Sequence, residues 1–319
     1  MLRSAMLALC LLLTAKSGHA QDWPQRSVHF IVPYAAGGGT DTVARVVAQR
    51  LGLKLGQNFV VENKTGASGM IGAEFVAKSD ADGYTFLVAS PAEIALDQNL
   101  FPAIAYDPLR DFAPITLLAW TPMVLAAHPS FAASSLPELV ALTRSRSVDF
   151  SSPGVGSTHH LLGEYINKLA GTHLVHVPYR GAAPAVQDAV SGQVKLTISG
   201  MPPVVPFLQA GSLKAIAVTS QKRSPIFPNI PAMAETKGFE DFDFTNWFGL
   251  LARAGTPQSI LDKMAKTTVA TLQDPGVRDI IHSQAAEVVG NTQVEFGQFI
   301  QAESARYGKI VALTGIKVN

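Results

Sequence analysis

Twice in this chain a short β-branched strand runs into a glycine-rich turn, and each turn opens onto a hydroxyl residue that can start a helix. This repeated layout constrains the fold more than any other feature, because strands alternating with helices build a parallel sheet covered by helices. The first unit starts with Val28 to Val32 (VHFIV) and turns through Pro33-Tyr34-Ala35-Ala36-Gly37-Gly38-Gly39. Thr40 is expected to cap the helix, with Asp41 in its first turn, where a negative charge meets the positive end of the helix dipole. Val43, Ala44, Val47 and Leu51 fall on one helical face, and Gly52 is expected to end it. Phe59 to Val61 reads as a second strand and Lys64 to Gly69 as a loop. Ile71, Phe75 and Val76 begin another helix, Asp82-Gly83 signals a turn, and Tyr84 to Ala89 reads as a third strand.

The second unit repeats the layout without repeating the sequence. Val148 to Ser151 is a strand, Ser152-Pro153-Gly154-Val155-Gly156 a turn, and Ser157 a candidate cap. Leu161, Leu162, Tyr165, Ile166 and Leu169 form an apolar helical face closed by Gly171. Strands follow at Leu174 to Val177, Lys195 to Ile198 and Ala215 to Thr219, with helices at Ala183 to Val190 and Val204 to Gln209. Ile115 to Ala127 is too long for one interior strand and carries Pro122, so it is read as a crossing between two lobes. Phe242 to Leu251 is read as the return crossing. Helical patterns at Ile260 to Leu272 and Val294 to Ile310 are expected to pack back on the first lobe. These readings divide the chain into a discontinuous first lobe, 21–121 plus 246–319, and a second lobe, 122–245.

Charged residues make up only 15% of the chain, which suits strands buried on both faces. Residues 1–20 read as a signal peptide: Arg3, then the apolar run Met6 to Thr14, then Gly18-His19-Ala20 before cleavage. The run is about half the length of roughly 20 residues that a spanning helix needs. Cys10 is the only cysteine and leaves with this leader. Leu9, where a small residue would be required, argues against lipidation at Cys10. Losing Arg3 and Lys16 leaves 23 basic residues against 24 acidic ones. No basic stripe is visible, and nucleic acid is not an expected partner.

The two turns share one physical property. A helix N-terminus offers backbone N–H groups that nothing in the helix satisfies, and its dipole favours an anion. Two such termini facing one cleft would hold a carboxylate without a buried Arg or Lys. Sharper chemistries fit less well. Gly37-x-Gly39 lacks the third small residue of the dinucleotide fingerprint, since position 42 is Thr. His159, His160 and Glu164 suggest a metal pair only on paper, and His173 and His176 fall on opposite faces of a strand. Gly66-Ala67-Ser68-Gly69 lacks the spacing of a nucleophile elbow. Neither a metal, a cofactor nor a catalytic residue is assigned.

At these same residues the chain resembles the Bug family, the periplasmic binding proteins of tripartite tricarboxylate transporters. The resemblance rests on Ile31-Val32-Pro33-Tyr34 leading into Gly37-Gly38-Gly39-Thr40-Asp41, then Val61-Glu62-Asn63-Lys64, Gly66, Gly69 and Gly72, then Asp82-Gly83-Tyr84-Thr85. Tyr106 to Phe112 (YDPLRDF), Gly154 to Leu161 (GVGSTHHL) and Val177-Pro178-Tyr179-Arg180-Gly181 complete it. The resemblance implies an α/β, two-lobed periplasmic binding protein fold of type II (Venus-flytrap). Each lobe would be a mostly parallel sheet flanked by helices, joined by two crossover strands. It implies a non-enzymatic protein that captures a small mono- or dicarboxylate, possible ligands extending to amino and aromatic acids, for a membrane permease of the tripartite type. It implies a site with Tyr34, Ala35, Ala36, Gly37, Gly38, Gly39 and Thr40 on one side and Ser152, Gly156, Ser157 and Thr158 on the other. Tyr179, Arg180 and Gly181 would wall the cleft, Asn246 and Trp247 would lie near its floor, and Ser90 would join them. A monomer is expected. The competing readings are a ligand-sensing subunit of a membrane signalling partner and a secreted enzyme acting on an organic acid.

Overall fold

The computed structural model describes residues 23–318; the expected signal peptide, with Cys10 and the cleavage point after Ala20, lies outside them. The elements in chain order are β1 (Val28–Val32), α1 (Gly39–Leu55), β2 (Phe59–Asn63), α2 (Met70–Ala77), β3 (Thr85–Ala89), a π turn (Ala92–Leu96) and α3 (Asp97–Leu100). Next come β4 (Phe112–Ala127), α4 (Leu136–Ser145), β5 (Val148–Ser152), α5 (Thr158–Ala170), β6 (Leu174–Pro178), α6 (Ala182–Val190), β7 (Leu196–Gly200), α7 (Val205–Gln209) and β8 (Lys214–Val218). The chain closes with β9 (Thr245–Arg253), α8 (Gln258–Leu272), α9 (Pro275–Ser283), β10 (Glu287–Val288) and α10 (Gln293–Thr314).

The strand order is β2-β1-β3-β9-β4-β7-β5-β6, with β8 and β10 also pairing β4. β1 is parallel to β2 and β3, and β5 is parallel to β6 and β7. The two parallel groups correspond to the two units of the sequence pattern. β4 joins them. It runs antiparallel to β9 from Phe112 to Pro122, then antiparallel to β7 and β8 from Met123 or Val124 to Ala127. The segment expected to be too long for one interior strand is therefore a single strand interior to two sheets in turn. Pro122, which has no N–H to give a ladder, stands where the partners change. Among the described residues, β9 pairs with β3 and β4 alone.

Both faces of the first sheet are buried, as the continuous apolar runs require. On β1, Phe30 and Val32 pack toward α1, α8 and α9, with Val47, Leu51, Met264 and Ile281. Ile31 points the other way, into a core with Val76 and Tyr307 that continues through Phe244 to Phe150, Leu161 and Ile166 of the second unit. α10, expected to pack back on the first lobe, touches β4 and the π turn and also α5 of the second unit. A smaller core lies under α6 and α7.

Helix ends show where local pattern is overridden. Thr40 lies inside α1 rather than capping it; Gly38 is the N-cap, and Asp41 Oδ2 accepts from the Gly37 amide at 3.0 Å in place of a hydroxyl cap. Gly52 does not end α1. The helix runs one turn further to Gly56, whose φ of +69° suits glycine. A Cβ on Gly52 would stand 3.1 Å from the Gln57 carbonyl, so its smallness serves the chain returning to β2. In α5, Ser157 is the cap, accepting from the His160 amide at 3.2 Å, and Gly171 closes the helix. Leu169, counted on the apolar face of its helix, is exposed, as are Ile71 and Phe75 of α2.

Candidate functional site

The starts of α1 and α5 meet at one small cavity of about 40 Å³, lined by Tyr34, Thr40, Ser90, Pro153, Ser157, Thr158, His159 and Asn246. Tyr34 follows β1, Ser90 follows β3, and Ser157 follows the turn after β5, so the lining gathers beyond the carboxyl ends of parallel strands, where open α/β sheets bind ligands. The chain thus brings together Tyr34, Thr40, Ser90, Ser157, Thr158 and Asn246 among the residues singled out in the sequence. No Lys or Arg lines this cavity. An anion there meets hydroxyls and the helix-start amides, which have no intrahelical acceptors.

Not every expected amide is free. The Gly37 N–H is taken by Asp41, whose carboxylate also binds Arg45 and Asn63 and is held below its ordinary range despite burial. The Gly156 N–H donates to His160 Nδ1 at 3.2 Å. Ser152 faces the interior of the second unit, its hydroxyl 2.5 Å from His176 Nε2. His160 and His176 stack at 3.8 Å between ring centroids. These two histidines therefore shape the second turn without lining the cavity. A strand residue and a helix residue so far apart in sequence gave no local sign of pairing.

A wider groove of about 510 Å³ opens beside the cavity and shares Tyr34 and Pro153 with it. Thr65 to Gly69 form one wall; Gly154, Val155, Tyr179 and Arg180 form the other. Arg180 is exposed at this groove and makes no ion pair among the described residues. The Tyr179 hydroxyl donates to Asp188 Oδ2 at 2.6 Å, which, after partial burial, helps push the phenol up to about 12. Gly181 approaches Ala35 so closely that a Cβ would lie 2.9 Å from the alanine methyl. Ala36 is exposed, and Gly38 and Gly39 serve the start of α1. Trp247 is not brought to the site. It follows Asn246 on a strand, so the two side chains point to opposite faces. Its indole N–H donates to Glu303 Oε2 at 3.1 Å in the core under α10.

Three groups near the cavity were missed in the sequence. Ser68, at φ +53°, donates across the groove to the Val155 carbonyl. Glu93, on the π turn, lies buried behind Tyr34 and Ser90. His159 lines the cavity with Nε2 buried and unpartnered among the described residues, as is Asn246 Oδ1. Burial holds His159, His160 and His176 down, to about 3, about 4 and about 3. The unfolded chain regains ordinary histidines, so it binds protons first as pH falls. The stability these groups contribute is whole above about pH 6.5 and is lost toward pH 4. Burial raises Glu93 and Asp97, which pull the other way over the same range, so the histidine share is read as a difference: any drop in urea midpoint between pH 7 and 5 is expected to be shallower in His176→Asn than in wild type. An equal drop in wild type and variant would remove His176 from the account.

Two parallel-sheet units, one strand shared between them and two helix starts on one cleft define a solute-binding protein of the periplasmic-binding-protein fold. The chain belongs to the family described as the tripartite tricarboxylate transporter family receptor, whose model matches residues 43–316. Protein BugT of Bordetella pertussis is 37% identical over 302 residues, 94% of this chain and 92% of its own length. The structure of R. palustris Rpa4515 with adipate superposes with a TM-score of 0.90 at 35% identity, covering 93% of this chain and 99% of that one. MatC from Rhodopseudomonas palustris, with bound malate, gives 0.85 at 32% identity, covering 91% and 100%. The family is one of transport receptors, not of enzymes.

Proposed function

We propose that this protein captures a small mono- or dicarboxylate in the periplasm, between lobes formed by 21–121 plus 246–319 and by 122–245, and delivers it to a membrane permease of the tripartite type. The observation that carries the reading is the cavity at the convergence of the α1 and α5 starts, rich in hydroxyls and free of cationic side chains. One carboxylate of the ligand sits there, met by neutral donors and by both helix dipoles. The rest of the ligand extends into the groove toward Arg180. Related chains solved with adipate and malate support this class of ligand. The change of β4 partners at Pro122 supports the placement of the first crossing.

A thermal-shift screen of the protein against carboxylates, sugars and cations tests the reading, because a ligand that binds only the folded state raises its stability. A shift with small carboxylates is expected. Shifts with a sugar or a cation and with no acid would sink it. Arg180→Gln is expected to weaken dicarboxylates about two- to fivefold, the modest worth of an exposed charge, and to leave monocarboxylates of the same length unchanged. Equal losses for both would mean that Arg180 does not meet a second carboxylate.

A further inference from the structure

We propose that closing the cleft over a carboxylate takes up one proton, and that Glu93 is the group that receives it. The inference rests on the carboxylate reading above and adds to it a proton linkage at a residue outside the cavity lining.

Glu93 is fully buried, and no cationic side chain pairs with it among the described residues. Its Oε1 accepts from the Ser90 amide at 2.6 Å. Its Oε2 lies 2.8 Å from the Tyr34 hydroxyl and 3.0 Å from the Ser90 hydroxyl, and both of those groups line the cavity. Gly69, at φ +100°, permits this approach, since a Cβ there would stand 2.9 Å from Oε2. The other groups facing this turn do not neutralise the acid. Asp97, one turn on, is itself buried with both oxygens unpartnered. The Tyr106 hydroxyl donates to the Glu93 backbone carbonyl at 2.7 Å. His159, across the cavity, is held neutral by burial. From α10 the contact comes from uncharged Ser304, against Gln98 and Asn99.

Counting protons separates two states. Tyr34 has one hydroxyl proton and two acceptors in reach, Glu93 Oε2 and the Ser68 carbonyl at 2.9 Å. With Glu93 ionised, the Tyr34 proton and the Ser90 proton both turn to the acid, and the Ser68 carbonyl has no donor. With Glu93 protonated, the acid donates to the Tyr34 oxygen and Tyr34 donates to Ser68. Ser68 is the residue whose hydroxyl reaches across the groove to Val155. Ser90 is then free to give its proton to a ligand. An incoming carboxylate thus favours the protonated form three ways: less repulsion, a freed Ser90 donor and a held Ser68 turn. Burial already pushes Glu93 up to about 7, so the proton is in balance near neutral pH. A bound anion raises it further. Affinity is therefore highest below about pH 7 and falls as pH rises above it, by up to about tenfold per pH unit while uptake is complete.

The test is calorimetric titration with malate and with adipate at about pH 8, where the free acid is mostly ionised, in buffers of low and high ionisation enthalpy. Wild type is compared with Glu93→Gln, which supplies an N–H donor toward Tyr34 but cannot titrate. The expected result is net uptake approaching one proton per ligand in wild type, and loss of both uptake and pH dependence in Glu93→Gln. Binding by wild type without uptake, or uptake that persists in the variant, would overturn the proposal and leave carboxylate capture standing. Failure of both acids to bind counts instead against the carboxylate reading, and a ligand-free measurement then decides the linkage. Spin labels at exposed Leu53 and Leu169 report the separation of α1 and α5. Their distance is expected to lengthen from pH 6 to pH 8 in the chain with Glu93 and to stay constant with Glu93→Gln. A distance insensitive to pH in both would overturn it.

Discussion

Gly156→Val is expected to weaken ligand binding about a hundredfold, roughly 2.7 kcal/mol, while the variant still folds. Gly156 sits at φ +81°, where any other residue is strained. That strain is present whether the cleft is open or closed, so it lowers stability by about 1–2 kcal/mol without acting on the ligand. The second effect belongs to closure. A Cβ at 156 would stand 2.7 Å and 2.9 Å from ring atoms of Phe101, and 3.3 Å from Ser68 Oγ. Both of those residues come from the first unit, so the clash exists only when the two units meet. Gly171→Ala is the control. Gly171 has φ +63° but nothing within 4 Å of its Cβ position, so it carries the backbone strain alone and is expected to lose stability with affinity intact. Titration of a bound acid against both variants checks the pair. Equal affinities in Gly156→Val and wild type would show that this contact does not form in the bound state.

Trp247→Ala is expected to do the reverse, costing about 3–5 kcal/mol of stability and changing the affinity of the folded protein by less than about threefold. Trp247 is fully buried. Its ring meets Phe296 edge-on at 6.0 Å and Phe299 at 5.6 Å, and its N–H binds Glu303, which also pairs with Arg306 at 2.8 Å. Truncation leaves a large void in the core that spans both units. Urea unfolding measures the loss, and binding at low temperature, where the variant stays folded, measures the affinity. A large affinity loss with stability intact would return Trp247 to the site.

These two residues also show what the sequence could and could not convey. Gly156 stood in a legible pattern of strand, glycine turn and Ser157 cap, since each part is dictated by near neighbours. The alternation of strand and helix, the closing Gly171 and the gathering of Tyr34 and Ser90 beyond strand ends are of the same local kind. The resemblance implied that Trp247 lies with Asn246 near the cleft floor, but the alternation of a strand sends adjacent residues to opposite faces. Which face meets the cleft is decided by the sheet's partners. Gly52 read as the helix stop, but the helix runs on to Gly56, and the space that a glycine at 52 leaves is taken by the chain returning at Gln57. The pairing of Ser152 with His176 and the burial of Glu93 behind Tyr34 depend on contacts 24 and 59 residues apart. No window along the chain reports those.

The 16-residue strand β4 has a consequence for how such a chain can change over time. Past two bulges in its ladder with β9, at Ile115 and Leu118, its side chains alternate between faces from Ala119 to Ala127, and it sets the register of β9 at one end and of β7 and β8 at the other. Removing or adding one residue near Pro122 would turn every side chain of one sheet's edge of the ladder inside out relative to the other. The surface turns elsewhere can lengthen or shorten at small cost. Drift in length among descendants of this chain should therefore collect in those turns and spare 112–127, making that stretch a fixed ruler against which the two halves are aligned.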